Sequence, residues 1–124
     1  MNSIFIIDDS ELDRDLCGII IEQFDPQIQV HFAEDGLEAL RKLTILTQNP
    51  DIILLDINMP VLDGFGFLRR YIGNNKTRVY IMVACEEQRG DIRRAAQFSC
   101  VAGHVIKPLN LDTLRVLRQQ CVLA

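Results

Sequence analysis

Apolar residues come along this chain in five short runs, each closed by a polar residue, a glycine or a proline, with mixed stretches between them. Ser3–Ile7 reads as the first strand and ends in Asp8-Asp9. Ser10 then predicts a helix N-cap, with Glu11 and Asp13 in a first turn where acids favour the helix dipole. Leu12, Leu16, Ile19, Ile20 and Phe24 predict the inward face of that helix, which Asp25-Pro26 breaks. Residues 28–32 alternate more, which predicts a strand at a sheet edge. Gly36 precedes a second helix with Leu37, Leu40 and Leu43 inward, closing near Asn49-Pro50. Residues 52–55, all aliphatic, predict a strand buried on both faces, and the run stops at Asp56. Pro60 and Gly64 mark a turn, after which Phe65, Leu68 and Ile72 predict a short third helix stopped by Gly73-Asn74-Asn75. Phe65 and Phe67 are read as packing residues. Residues 79–83 and Val101–Ile106 predict two more strands, the second ended by Lys107-Pro108. Ile92, Ala95, Ala96 and Ser99 outline a fourth helix, and Asn110 caps a fifth with Leu111, Leu114, Leu117 and Cys121 inward.

Strands alternating with helices require crossover connections, so the sheet is parallel and covered on both faces. The expectation is a single α/β domain over residues 1–124. At 124 residues it is large enough for a core without staples, and 48% hydrophobic with 24% charged residues is an ordinary globular balance. The net charge of −4 argues against nucleic acid as a partner of this domain. Cys17, Cys85, Cys100 and Cys121 have no metal or redox spacing and read as free, mostly buried thiols of a reducing compartment. The amino terminus lacks a signal-peptide pattern, and no apolar stretch approaches the roughly 20 residues that span a bilayer. The chain reads as soluble and cytoplasmic, with no membrane partner.

Parallel strands point their carboxyl ends one way, so Asp8, Asp9, Asp56, Ala84 and Lys107 are expected on one rim. Singly, Asp8-Asp9 reads as dipole-stabilising acids and Lys107 as a surface lysine with its stem laid on apolar neighbours. Together they form a constellation at successive strand ends, where open α/β sheets carry their chemistry. Three crowded carboxylates call for a cation, and a hard ion with oxygen ligands, Mg²⁺, suits them. With Lys107 adding positive charge, the rim could accept an anion beside Asp56 and activate that carboxylate as a nucleophile.

Four fragments, in order, carry a resemblance: Ile6-Ile7-Asp8-Asp9-Ser10, Ala33-Glu34-Asp35-Gly36-Leu37-Glu38-Ala39-Leu40, Leu55-Asp56-Ile57-Asn58-Met59-Pro60-Val61-Leu62-Asp63-Gly64 and Val105-Ile106-Lys107-Pro108. Along its whole length the chain resembles a receiver domain of two-component response regulators. The resemblance implies a flavodoxin-like five-stranded sheet of order 2-1-3-4-5. It makes Asp56 the phosphoacceptor, charged from a sensor histidine kinase or a phosphotransfer protein. Mg²⁺ would be bound by Asp9, Asp56 and the Asn58 carbonyl, with Asp8 acting through water. Lys107 would pair with the phosphoryl oxygens, and the bond before Pro108 would be cis. Gly64 would serve the turn before the third helix. Asn58 and Glu86 fall where the family tunes autodephosphorylation, as in fast-cycling chemotaxis receivers. Output would pass through helix 4, strand 5 and helix 5 to a downstream effector protein or domain, and Arg93, Arg94, Arg115 and Arg118 lie on those helices. A homodimer through the same face is compatible with this reading.

Two switch positions depart from the family. Ala84 stands where a Thr or Ser normally binds the phosphoryl group, which removes one hydrogen bond to a charged group, about 1.5–3 kcal/mol. His104 stands where a Tyr or Phe normally moves between exposed and buried positions. It reads either as an inert surface imidazole or as a pH-dependent reporter. A pseudo-receiver that binds partners without phosphate is therefore the rival. A small phosphohydrolase is disfavoured by Asp8-Asp9-Ser10 in place of its D-x-D-x-T motif, and a flavin module by the acidity of the first loop. The chain would not be an enzyme in the usual sense, beyond helping its own phosphorylation and dephosphorylation. The carboxyl end leaves a stand-alone receiver and the first domain of a longer protein equally open.

Overall fold

A computed structural model describes residues 1–71, 73 and 76–123, with the side chains of 122 and 123 set aside. Its elements are β1 (Ser3–Ile7), α1 (Glu11–Phe24), β2 (Gln29–Ala33), α2 (Gly36–Ile45), β3 (Ile52–Asp56), α3 (Gly64–Arg70), β4 (Arg78–Val83), α4 (Arg89–Ala96), β5 (Val101–Ile106) and α5 (Leu111–Leu123). The five strands pair in parallel in the order β2-β1-β3-β4-β5. This is the flavodoxin-like sheet that the sequence predicts, with β2 at an edge.

Strand alternation divides the core into two layers. Phe5, Ile7, Ile53, Leu55, Val79, Ile81 and Val83 point to one face, against Ala39, Phe65, Phe67, Leu68 and Ala95 of α2, α3 and α4. Ile4, Ile6, Ile52, Leu54, Tyr80, Met82 and Val105 point to the other, against Cys17 and Ile21 of α1 and Leu114 and Leu117 of α5. Both faces of β3 are therefore dry, which is why its sequence runs aliphatic without alternation. Each fully buried aliphatic side chain of this kind contributes roughly 1.5–3 kcal/mol.

The inward face of α1 differs from the expected one. Cys17 and Ile21 are buried and Ile20 and Phe24 half-buried, whereas Leu12, Leu16 and Ile19 are 67%, 49% and 55% exposed. This helix carries more apolar residues than one face can hold. At 3.6 residues per turn, Leu12-Leu16-Ile19 and Cys17-Ile20-Ile21-Phe24 form two stripes roughly a third of a turn apart. Hydrophobic periodicity alone does not choose between them; the sheet presses on the second. In α2, Leu37 is likewise exposed while Leu40 and Leu43 pack inward, and the helix stops at Ile45, short of Asn49-Pro50. In α4, Ala95 is buried but Ala96 is exposed and Ser99 lies past the helix end, Phe98 filling that side instead. β2 starts at Gln29, one residue late, with Ile28 buried before it. Ile72, Asn74 and Asn75 lie outside the described residues.

Phe65 and Phe67 are core residues, as expected. All four cysteines are free, but only Cys17 is buried; Cys100 and Cys121 are intermediate and Cys85 is exposed in the loop after β4. Arg94 stacks on Phe65 at 3.9 Å, and Arg118 stacks on Phe24 and pairs with Asp25, so both already serve contacts within the chain. Among the described residues no helix is long and apolar enough to cross a membrane.

Candidate functional site

The strand ladder places the rim. The Asp8 amide donates to the Ala33 carbonyl at 3.0 Å and the Lys107 amide to the Val83 carbonyl at 2.9 Å, so each residue leaves its strand at a defined register. Asp56 closes β3 opposite Met82 of β4. The Asp8 and Asp56 side chains are buried at the mouth of the sheet, while Asp9 is exposed above them. Carboxylate oxygens of Asp8, Asp9 and Asp56 all lie within 4.8 Å of one another.

Lys107 reaches into this group. Its Nζ is 2.9 Å from Asp8 Oδ2, 3.0 Å from Asp13 Oδ2 and 3.9 Å from Asp56 Oδ2. Asp8 Oδ1 accepts from the Ser10 amide at 3.0 Å, but Oδ2 receives no well-directed hydrogen bond despite the nearby ammonium. Arg14 Nη1 donates to the Asp8 carbonyl at 2.8 Å, tying the first turn of α1 to the rim. Desolvation pushes the Asp56 carboxyl up to about 6, against the lowering effect of Lys107 and with help from the charges of Asp8 and Asp9. Burial by itself would lower the Lys107 ammonium, but the Asp8 and Asp13 carboxylates, with Asp56, raise it on balance. Beneath the rim, burial and then the charges of Asp8 and Asp13 push the Cys17 thiol up to about 11.

The loop after β3 is anchored by Ile57 and Met59, both buried. Its turn carries Val61 at φ 67°, a strained conformation for a β-branched residue. Two glycines permit close approach here. A Cβ on Gly64 would lie 2.7 Å from the Asp56 carbonyl oxygen, and one on Gly36 would lie 2.7 Å from the Leu62 carbonyl oxygen, which the Gly36 amide binds. Asp63 caps α3 by accepting from Gly66 at 2.8 Å. Asn58 is exposed, and its amide faces Asp56 Oδ1 at 3.4 Å, a long contact. The Lys107-Pro108 bond is cis.

Ala84, Cys85 and Glu86 follow β4 and are exposed. The Ala84 amide donates to Gln88 Oε1 at 2.6 Å, and Gln88 Nε2 donates onward to Asp91. Across the adjacent strand, His104 Nε2 lies 3.4 Å from Glu86 Oε1.

Of the residues singled out by sequence, Asp8, Asp9, Asp56 and Lys107 come together in space, Asn58 borders them, and Glu86 and His104 meet each other beside Ala84. Asp13 is the residue that sequence reasoning missed. It looked like an ordinary first-turn acid, and the available signal was its place in the first turn of the helix that leaves the rim directly after Asp8-Asp9. A second acidic group, Glu34, Asp35 and Glu38, is already engaged: Asp35 caps α2 and Glu38 pairs with Lys42 at 3.0 Å.

The family model described as "Response regulator receiver domain" matches residues 4–118. The chain is 34% identical over 115 residues to a protein-glutamate methylesterase/protein-glutamine glutaminase of Rhodopseudomonas palustris, covering 92% of this chain and 30% of that protein. It is 33% identical over 115 residues to hybrid signal transduction histidine kinase E of Dictyostelium discoideum, covering 89% of this chain and 6% of that protein. The chain thus spans under a third of the length of these relatives. Among solved structures, a two-component response regulator from Cytophaga hutchinsonii superposes with TM-score 0.87 at 24% identity, over 100% of this chain and 98% of that one. The chemotaxis response regulator CheY4 of Vibrio cholerae superposes with TM-score 0.74 at 26% identity, over 98% of both chains.

Proposed function

Because the chain belongs to the response regulator receiver family, we propose that residues 1–124 form one receiver domain, a cytoplasmic phosphoacceptor in a two-component phosphorelay with Asp56 as the site of phosphorylation. The observation that carries this reading is the buried Asp56 carboxylate, facing the Lys107 ammonium and sharing its pocket with Asp8 and Asp9. In the proposed reaction an Asp56 oxygen attacks the phosphorus of a phosphohistidine on a sensor kinase or phosphotransfer protein. An O–P bond forms as the N–P bond breaks, and the departing imidazole takes a proton. Lys107 pairs with the phosphoryl oxygens as they arrive.

The donor set fits a hard divalent cation: three carboxylates, those of Asp8 and Asp56 buried, meet within 4.8 Å, more negative charge than the Lys107 ammonium alone balances. Asp9, Asp56 and the Asn58 carbonyl would hold Mg²⁺, with Asp8 acting through water, and the ion would offset charge on the transferred phosphoryl group. Asn58 and Glu86 tune hydrolysis of the aspartyl phosphate, and output passes to an effector through α4, β5 and α5. Ala84, which offers no hydroxyl, favours a second reading, a pseudo-receiver whose contacts ignore phosphate.

Intact mass after incubation with acetyl phosphate and Mg²⁺, on wild type and Asp56→Asn, separates the two. An adduct on wild type alone supports the phosphoacceptor. Amide shifts that spread to Ala84 and His104 then show a coupled switch, and shifts confined to the rim show chemistry without coupling. No adduct leaves the pseudo-receiver.

A further inference from the structure

The Lys107 ammonium pairs with Asp8 Oδ2 at 2.9 Å, and its best-directed hydrogen bond is not to Asp56. That bond goes to Asp13 Oδ2 at 3.0 Å, joining the first turn of α1 to the end of β5 across 94 positions of sequence. Asp56 Oδ2, at 3.9 Å, is the farthest of the three acids around Nζ. Asp13 is itself held, since its amide donates to Ser10 Oγ at 3.2 Å and the Ser10 amide binds Asp8. We propose that Asp13 is a positioning residue that draws the Lys107 ammonium away from Asp56 and so limits its hold on a phosphoryl group there.

This proposal rests on the phosphoacceptor reading and deepens it. An ammonium has three donors in a flexible array. Asp8 is a buried neighbour that stays beside the lysine whichever way it leans, and the contest is between Asp13 and the group on Asp56. A phosphoryl group brings added negative charge and oxygens nearer to Nζ than the bare carboxylate, and the lysine must give up part of its bond to Asp13 to meet them. The Asp13 side chain is 37% exposed, so water can replace what it loses and the hold is modest. Asp13 touches neither the donor nor the phosphorus; it acts through Lys107.

The test uses the full chain as wild type, Asp13→Asn and Asp13→Glu. Acylation of Lys107 by dilute acetic anhydride, read by peptide mass against Lys42 and Lys76, reports the tether directly. Binding of beryllofluoride, a phosphoryl mimic, at fixed Mg²⁺ reports its consequence. Asp13→Asn is expected to raise Lys107 acylation and beryllofluoride affinity by about two- to fivefold, the scale of a part-exposed ion pair. Asp13→Glu is expected to return both towards wild type, and Lys42 and Lys76 should not change. Unaltered Lys107 acylation in Asp13→Asn, or an affinity equal to or below wild type, overturns the proposal. Should wild type bind no beryllofluoride and accept no phosphoryl group, the phosphoacceptor reading falls. The acylation arm still decides whether Asp13 holds the lysine.

Discussion

Two stretches of the same rim are built differently. Around β1, β3 and the end of β5, Asp8, Asp56 and Lys107 are buried or half-buried, set by ladder hydrogen bonds, and close enough to shift one another's protonation, with Asp9 exposed beside them. At the end of β4 the backbone is exposed, no hydroxyl is present, and the link to β5 is a 3.4 Å contact between half-exposed His104 and exposed Glu86. The first region has what nucleophilic chemistry requires, namely a desolvated carboxylate with a fixed cation beside it. The second lacks the group through which a phosphoryl on Asp56 would pull its loop inward. On the proposed phosphoacceptor reading, substitutions in the first region should alter the reaction and substitutions in the second the response.

The largest expected effect is all-or-none: Asp56→Asn takes up no phosphoryl group, read by intact mass. The same change should stabilise the metal-free fold. Burial pushes the folded carboxyl from its ordinary 3.8 up to about 6, so ionising it opposes folding. That cost is absent below pH 4, grows as pH rises through about 4 to 6, and reaches on the order of 3 kcal/mol above it. Urea unfolding at pH 4 and pH 7.5 should therefore show the Asn variant's advantage only at the higher pH. An equal advantage at both would mean that Asp56 is not desolvated as described.

Next in size, Lys107→Ala should slow phosphorylation from acetyl phosphate by about a hundredfold, the scale of a lost donor to a developing charge. It should also cost about 3 kcal/mol of stability, because Asp8 would be left buried without its cation. Magnesium affinity, followed by calorimetry, should fall by about tenfold from pH 7.5 to pH 5, since the ion competes with the proton that Asp56 gains near 6. Ala84→Thr should sharpen the contrast from the other side. Phosphorylation should stay within about threefold, while the new hydroxyl, worth roughly 1.5–3 kcal/mol against a charged group, carries amide shifts on phosphorylation out to His104. The smallest effect belongs to Glu86→Gln, under about 1 kcal/mol because the contact with His104 is solvent-exposed. Thermal denaturation should barely register it.

Much of this is legible in the amino-acid sequence. Asp8, Asp56 and Lys107 could be placed on one rim because each follows an aliphatic run that a parallel sheet aims one way, whereas Ala84 and His104 stood out only against the pattern of the family the chain resembles. What stayed hidden involves choices that local pattern does not make. In α1 the sequence offers two apolar stripes, and of the expected face Ile20 and Phe24 pack inward while Leu12, Leu16 and Ile19 are largely left to solvent. In α2 the helix was expected to run to the Asn49-Pro50 breaker, and it stops at Ile45. The expected thiol burial failed at Cys85 because its loop turns outward.

The sequence by itself determined the strands, their direction and the identity of the acids and the lysine at their ends. Those follow from alternation, from capping and from where polarity interrupts a buried run, all of them properties of neighbours along the chain. Tertiary structure alone decided that Lys107 bonds Asp13 rather than Asp56, that Glu86 meets His104, and that Cys17 and Ile21 face the sheet. Each depends on how separate elements pack against one another, and a difference of about 1 Å in that packing selects which oxygen a charged nitrogen reaches.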